Sequence, residues 1–236
     1  MSVPLFEKVA FIGLGLIGSS LARVMIAEGL TQNIVASTRS EKTLQDAKAL
    51  GLIQQGYSDP VQAVQGADLV VLALPVRATQ KVLETIKPYL QEHTIITDVG
   101  STKGNVVDAA KAVYGEALPA GFVPGHPIAG AEHTGVYAGK VDLFANHKVI
   151  LTPLPTSADW AVEKLIQLWQ AAKAEVICMD VAKHDEVLAH TSHLPHLMAF
   201  NLVEQLANRE DNLDIFRYAA GGFRDFSRIA ASDPQM

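Results

Sequence analysis

The stretch Lys8-Val-Ala-Phe-Ile-Gly13-Leu-Gly15-Leu-Ile-Gly18-Ser19 decides how the rest of the chain is read. Lys8 to Ile12 is mostly apolar with little alternation, the pattern of a strand buried on both faces of a parallel sheet. Gly13, Gly15 and Gly18 follow as G-x-G-x-x-G, and Ser19 to Gly29 has the spacing of a helix that stops at a glycine. In that order the first glycine makes a tight turn, the second lets a pyrophosphate approach the backbone, and the third lets helix pack closely on strand. The free N–H groups of the helix N-terminus then face the phosphates. Strand and helix together supply the context that a bare glycine spacing lacks. Gly13, Leu14, Gly15, Leu16, Ile17 and Gly18 are therefore the expected cradle of a dinucleotide.

Outward from there, Asn33 to Ser37 reads as the second strand, and its tip selects the cofactor. A carboxylate at that position holds the ribose 2′-hydroxyl of NAD, whereas an arginine accommodates a 2′-phosphate. The chain has Thr38-Arg39-Ser40 and no carboxylate there. Hydroxyls beside a guanidinium suit a phosphate, so the expectation leans to NADP over NAD, against the plainer reading of a solvated loop arginine.

Strands and helices keep alternating. A helix is expected over Glu41–Leu50, and Asp59-Pro60 opens a short one. The apolar run between Asp68 and Pro75 is a central strand with Leu74 and Pro75 at its carboxyl end, beside the cofactor. A helix over Val76–Leu90 and a strand over Thr94–Asp98 follow. Further strands are expected at Gly121–Pro124, His147–Leu151 and Glu175–Met179, with a helix from about Ala158 to Ala172. Beyond Asp180 only helical spacing remains. The fold class is thus α/β: a Rossmann-type, doubly wound, mostly parallel sheet over residues 1–179, then an all-helical domain over 180–236.

Bulk properties bound the partners. The 236 residues are 49% hydrophobic, enough for a substantial core, and the formal net charge of −6 gives no basic footprint for nucleic acid. The single cysteine, Cys178, rules out an internal disulfide framework and reads as a small buried apolar residue. With no secretory signal and no membrane-length apolar run, the expected location is cytoplasmic, away from membranes.

Four constellations could carry chemistry. Asp98-Val-Gly-Ser-Thr-Lys103 follows a strand, so Ser101 and Lys103 are expected to project near the cofactor, with helix capping as the plainer role of Ser101. In Gly125-His126-Pro127, a histidine between glycine and proline at the sheet's carboxyl edge is placed to exchange a proton with a hydroxyl undergoing oxidation. His184, His190, His193 and His196 crowd the second half, the last three at helical spacing. Pro195 interrupts them and no thiolate or H-E-x-x-H pattern supports zinc, so no metal is expected. Arg224 and Arg228, four apart, can together hold a dianion.

The ordered segments GLGLIGSSLA (13–22), ADLVVLALP (67–75), DVGSTKG (98–104), GHPIAGAEHTG (125–135), HDEVLAHTSHLPH (184–196) and GGFRDFSRIAASDP (221–234) resemble the prephenate/arogenate dehydrogenase family of tyrosine biosynthesis. The resemblance spans essentially the whole chain. It implies oxidative decarboxylation of prephenate or arogenate, with hydride passing to NAD(P)+, and a dual-specificity cyclohexadienyl dehydrogenase is the default. By the same resemblance His126 takes the proton of the substrate's 4-hydroxyl and Ser101 bridges that histidine, the nicotinamide and the hydroxyl. Arg228 binds a substrate carboxylate, Ser192, His193, His196 and Arg224 surround the substrate, and Glu132 lies near the pocket mouth. Family members dimerise through the helical domain, so a homodimer is expected. That domain ordinarily continues past the position of Met236, so it reads here as incomplete, with a further domain able to follow. Two other readings stay open: a 3-hydroxyacid dehydrogenase or imine reductase, for which Lys183 is the candidate lysine, and a nucleotide-sensing module without turnover.

Overall fold

The computed structural model describes residues 3–131, 133–209, 212–218 and 220–231. The chain divides into two compact units, Met1–His184 and Asp185–Met236.

In the first unit, β1 (Val9–Ile12), β2 (Ile34–Ser37), β3 (Gln55–Tyr57), β4 (Leu69–Leu72) and β5 (Ile95–Asp98) form a parallel sheet in the order β3-β2-β1-β4-β5. Every residue of β1, β2, β4 and β5 is buried, which is why β1 and β4 are apolar throughout and β2 and β5 carry polar residues only towards their carboxyl ends. Alternate residues face opposite cores. Phe11, Ala36 and Val71 pack with Leu21, Val24 and Met25 of α1 (Leu16–Ala27) and Leu44 and Ala47 of α2 (Glu41–Ala49). Ala10, Val35 and Val70 pack with Ala63 and Val64 of α3 (Pro60–Val64), Leu83 and Ile86 of α4 (Thr79–Ile86), and Val106 and Ala110 of α5 (Gly104–Tyr114). Helices on both faces make the sheet doubly wound.

A smaller sheet extends the unit. β6 (Gly125–Pro127) runs antiparallel to β7 (Lys148–Leu151), which pairs in parallel with β8 (Glu175–Cys178). Between β7 and β8, α6 (Asp159–Ala171) adds Leu165, Leu168 and Trp169 to the core that α1 covers. Trp169 is fully buried with its ring edge-on to Phe144 at 5.1 Å. Truncating such a side chain to alanine costs about 3–5 kcal/mol.

Several elements depart from the sequence expectation, each for a local reason. Gly121–Pro124 is not a strand. Phe122 makes an isolated parallel bridge to Ile96, and the ladder starts only at Gly125, since Pro124 has no N–H to donate. The expected helix over Val76–Leu90 is a 3₁₀ turn (Val76–Ala78), then α4, then a second 3₁₀ turn (Lys87–Tyr89) where Pro88 ends regular α-helix. β3 is short, partly exposed and without an apolar run, so periodicity does not mark it. α1 begins at Leu16, inside the glycine motif, rather than at Ser19. Cys178 is exposed at the end of β8, not buried, although partial desolvation pushes its thiol above the ordinary value.

α7 (Val181–Leu188) begins in the first unit: Asp180 Oδ1 accepts the Lys183 N–H at 2.8 Å, Val181 packs on the core and His184 is fully buried. The second unit is helical: a π-turn (Ala189–His193), α8 (Leu194–Ala207), α9 (Asn212–Arg217), α10 (Gly221–Ser227) and a 3₁₀ turn (Arg228–Ala231). In the π-turn the Leu194 N–H reaches the Ala189 carbonyl, five residues back. The wider turn gives Pro195 room within a continuous helix, where an α-turn would press its ring against the carbonyl four residues earlier.

Candidate active site

The glycine motif sits where three strands end. Gly13 N–H donates to the Ser37 carbonyl of β2 at 2.8 Å, and Ala73 N–H donates to the Ile12 carbonyl of β1 at 2.8 Å. Gly13 has φ +88°, and a Cβ there would lie 2.1 Å from the Ala73 carbonyl oxygen, so no other residue fits. Gly18 packs against Ala73, which a Cβ would approach to 3.2 Å. Gly15 differs: a Cβ would meet no heavy atom within 4 Å, and this glycine caps α1 without any side-chain bond to its amides. An open approach to the uncapped N-terminus of a 12-residue helix fits a dinucleotide's pyrophosphate. Leu14 and Leu16 have their side chains in the core, so they can meet a cofactor only through main chain. Ile17 and Leu74 are half-buried and Pro75 is exposed. At the tip of β2, Thr38 is half-buried and Arg39 and Ser40 are exposed. Ser40 Oγ accepts the Thr43 N–H at 3.2 Å, capping α2.

Beyond β5 lies a buried polar clamp. Asp98 ends β5 and is 2% exposed; Lys103 is fully buried and forms an ion pair with it. Lys103 Nζ also donates to the Gly125 carbonyl at 2.6 Å, while Asp98 Oδ1 accepts the Gly125 N–H at 3.2 Å and Oδ2 the Gly100 N–H at 2.8 Å. Both main-chain polar groups of the residue preceding His126 are thereby gripped. Lys103 points inward, against the expectation that its ammonium reaches the cofactor, because Asp98 has no other buried cation among the described residues. Ser101 is exposed in the intervening loop. It does not cap α5, whose N-cap is Lys103.

His126 lies on β6 opposite Ile150 and is 9% exposed. Its Nδ1 is 2.9 Å from Nε2 of His184, the rings tilted at 59° with centroids 5.1 Å apart. Sequence reasoning placed His184 only among a group of histidines. The signal for a core-facing role was its position between Val181 and Leu188 on one face of α7.

The remaining expected residues belong to the second unit. Ser192 and His193 lie in the π-turn, both half-buried, and His193 Nε2 is buried with no hydrogen-bond partner among the described residues. His196 Nδ1 contacts the Ser192 carbonyl at 2.8 Å. Arg224 on α10 and Arg228 just after it are exposed, and neither forms an ion pair among the described residues. Glu132 lies outside the described residues. Among those residues no group of three His, Cys, Asp or Glu could hold a metal ion, and no helix is long and apolar enough to cross a membrane.

A dinucleotide cradle on a doubly wound sheet, a buried histidine clamped beyond its carboxyl edge and a helical second unit define a nicotinamide-dependent dehydrogenase of the Rossmann-plus-helical class. Residues 21–178 match the family described as prephenate dehydrogenase, nucleotide-binding domain, and residues 180–236 match prephenate dehydrogenase, dimerization domain. The chain belongs to the prephenate dehydrogenase family. It is 39% identical to the cyclohexadienyl dehydrogenase of Zymomonas mobilis, over 99% of this chain and 80% of that protein. It is also 39% identical to the prephenate dehydrogenase of Bacillus subtilis, over 98% of this chain but 62% of that one, so it spans under two thirds of the latter's length. The crystal structure of Aquifex aeolicus prephenate dehydrogenase in complex with hydroxyphenyl propionate and NAD+ superposes with a TM-score of 0.87 at 32% identity, covering 100% of this chain and 80% of that one.

Proposed function

We propose that the chain oxidatively decarboxylates both prephenate and arogenate, prefers NADP+ to NAD+, and uses His126 as the base. NAD(P)+, when bound, supplies the hydride acceptor. His126 takes the 4-hydroxyl proton as the hydride leaves C4; the ring carboxylate departs as CO2, and the oxygen recovers a proton as the ring becomes aromatic. Aromatisation drives the reaction, so the protein's part is to orient and polarise. The observation that carries this reading is the hold on His126, through the clamp on Gly125 and the β6–β7 ladder. A base so fixed contributes about 10²–10⁴ in rate.

Ser101 offers an exposed hydroxyl in the loop that follows β5. Arg228, with Arg224 near it in sequence, supplies a guanidinium for a substrate carboxylate, a contact worth ~1.5–3 kcal/mol. His193 Nε2 has hydrogen-bonding capacity that the described residues do not use, as a substrate-binding group requires. Ser192 and His196 complete the set. Leu194, Leu197, Met198, Phe216 and Tyr218 expose large apolar surfaces on the second unit, which supports a homodimer formed through it. Lys183, which a 3-hydroxyacid dehydrogenase would need as its lysine, is exposed on α7.

The test is kcat/KM for prephenate and arogenate, each with NADP+ and NAD+, in the parent and in Arg39→Ala. The substitution is expected to lower the NADP+ value about 10–150-fold, the equivalent of one charge-assisted contact, and to leave the NAD+ value within about 3-fold. An equal loss with both cofactors, or a parent that prefers NAD+, removes the cofactor assignment. Failure of both substrates alongside turnover of a 3-hydroxyacid removes the reaction.

A further inference from the structure

We infer that His184 is the positioning residue that fixes the tautomer and aim of His126. The inference rests on the reading of His126 as the base. It comes from the direct contact of His126 Nδ1 with His184 Nε2 at 2.9 Å, between a ring 9% exposed and one that is fully buried.

The proton inventory follows from elementary imidazole chemistry. Two neutral imidazoles in contact through one nitrogen each share a single proton there, so one ring donates and the other accepts. A base must present an unprotonated nitrogen to the hydroxyl. With Nδ1 of His126 facing His184, that nitrogen is Nε2, and the neutral His126 therefore carries its proton on Nδ1 and donates it to His184 Nε2. His184 in turn holds its own proton on Nδ1. The opposite arrangement, with His184 donating, would leave His126 protonated on Nε2 and unable to accept the substrate's proton. When His126 becomes imidazolium, its Nδ1–H bond to His184 becomes charge-assisted and stronger. No proton leaves His126 through His184; the neighbour orients and stabilises, as a carboxylate does behind other catalytic histidines, but without a formal charge.

The backbone makes His184 suited to this. It lies in the first turn of α7, its N–H bonded to the Asp180 carbonyl at 2.9 Å, while Asp180 Oδ1 caps the turn through the Lys183 N–H at 2.8 Å. Val181, three residues before His184, also packs on the core. His184 is thus a rigid reference against which the His126 ring is set.

Two nearly isosteric substitutions separate hydrogen bonding from packing. His184→Gln can place an amide oxygen near the position of Nε2, whereas His184→Met fills similar space with a far weaker acceptor. With prephenate and NADP+ both saturating, His184→Met is expected to lower kcat about 10–100-fold, the range for losing the hydrogen-bond partner that orients a metal-bound histidine. KM for prephenate and the Kd of NADP+ should stay within about 3-fold of the parent. His184→Gln should recover kcat to within about 5-fold of the parent. Equal losses in both variants, or a normal kcat in His184→Met, overturn the inference. His126→Asn, run in parallel, keeps the two claims apart: if it remains active, the base reading fails first; if it is inactive while His184→Met is normal, only the positioning role fails. Should His184→Met not fold, imidazole ¹⁵N shifts of the unsubstituted protein decide, with the His126 signals assigned by their loss in His126→Asn. Protonated Nδ1 with bare Nε2 on His126 supports the inference, and the reverse tautomer overturns it.

Discussion

Lys103→Met should unfasten the strand that carries His126. The Lys103 side chain is fully buried and that of its partner Asp98 is 3% exposed, and methionine keeps most of the stem while removing the charge. Asp98 would retain the amides of Gly100 at 2.8 Å and Gly125 at 3.2 Å but lose its cation. The Gly125 carbonyl would lose a donor now 2.6 Å away. Removing one partner of a buried ion pair costs about 3–5 kcal/mol, and the two retained amides offset part of that, so the expected loss is about 3 kcal/mol. For a unit of this size each kcal/mol shifts Tm by roughly 2–4 °C, giving a melting temperature about 6–12 °C lower. Both tryptophans, Trp160 and Trp169, lie in the first unit, so fluorescence follows that unit alone. Asp98→Asn combined with Lys103→Met removes the stranded charge and should melt higher than Lys103→Met by itself. A Lys103→Met protein melting within about 2 °C of the parent, or a double variant no more stable than the single one, would show that the clamp does not secure Gly125.

The glycine motif gives a paired expectation. Gly13→Ala must place a Cβ 2.1 Å from the Ala73 oxygen at positive φ and should destabilise the protein by more than ~1 kcal/mol, read as a lowered urea midpoint. Gly15→Ala has free space and an ordinary φ of −81°, so its midpoint should not move while its Kd for NADP+ rises at least about 10-fold; tight binding in Gly15→Ala would locate the pyrophosphate elsewhere. Tyr114 has a buried hydroxyl without a hydrogen-bond partner among the described residues, and burial pushes its pKa up from 10.0 to about 12. The folded state therefore holds a proton that the unfolded state releases, so this contribution is complete below pH 10 and is lost as pH rises towards 12. Tyr114→Phe should flatten the fall in urea midpoint across that window, and an unchanged slope would place the ionisation in another group.

How much the sequence discloses depends on the range of the interactions. β1, β2, β4 and β5 are readable because a strand covered on both faces is built mainly from apolar residues, and Gly13 because one backbone conformation admits only glycine. β3 is not readable, since Gln55–Tyr57 belongs to the sheet through main-chain pairing at an edge. Candidate chemistry follows the same rule. His126 stands out from its Gly-His-Pro setting, but the grip on it joins Asp98 and Lys103 to Gly125, and His184 reaches it across 58 positions of chain. No local pattern encodes such pairs. Lys103 illustrates the resulting error: adjacency to Ser101 suggested a side chain turned to the cofactor, whereas the need to neutralise buried Asp98 turns it inward. Cys178 errs the other way, since an apolar type need not be covered at the end of a peripheral strand.

The π-turn at Ala189–His193 inserts one residue into what is otherwise a continuous helix. Five residues of a π-turn advance the azimuth about as far as four of an α-helix, so the extra position leaves the residues after it on nearly the face they would hold without it. Deleting one position would close the turn and bring the Pro195 ring back against a carbonyl. A point replacement in the same turn leaves that clearance intact. Segment length, more than the identity of any one side chain, is what accommodates the proline, and a one-residue deletion here should be tolerated less well than most substitutions.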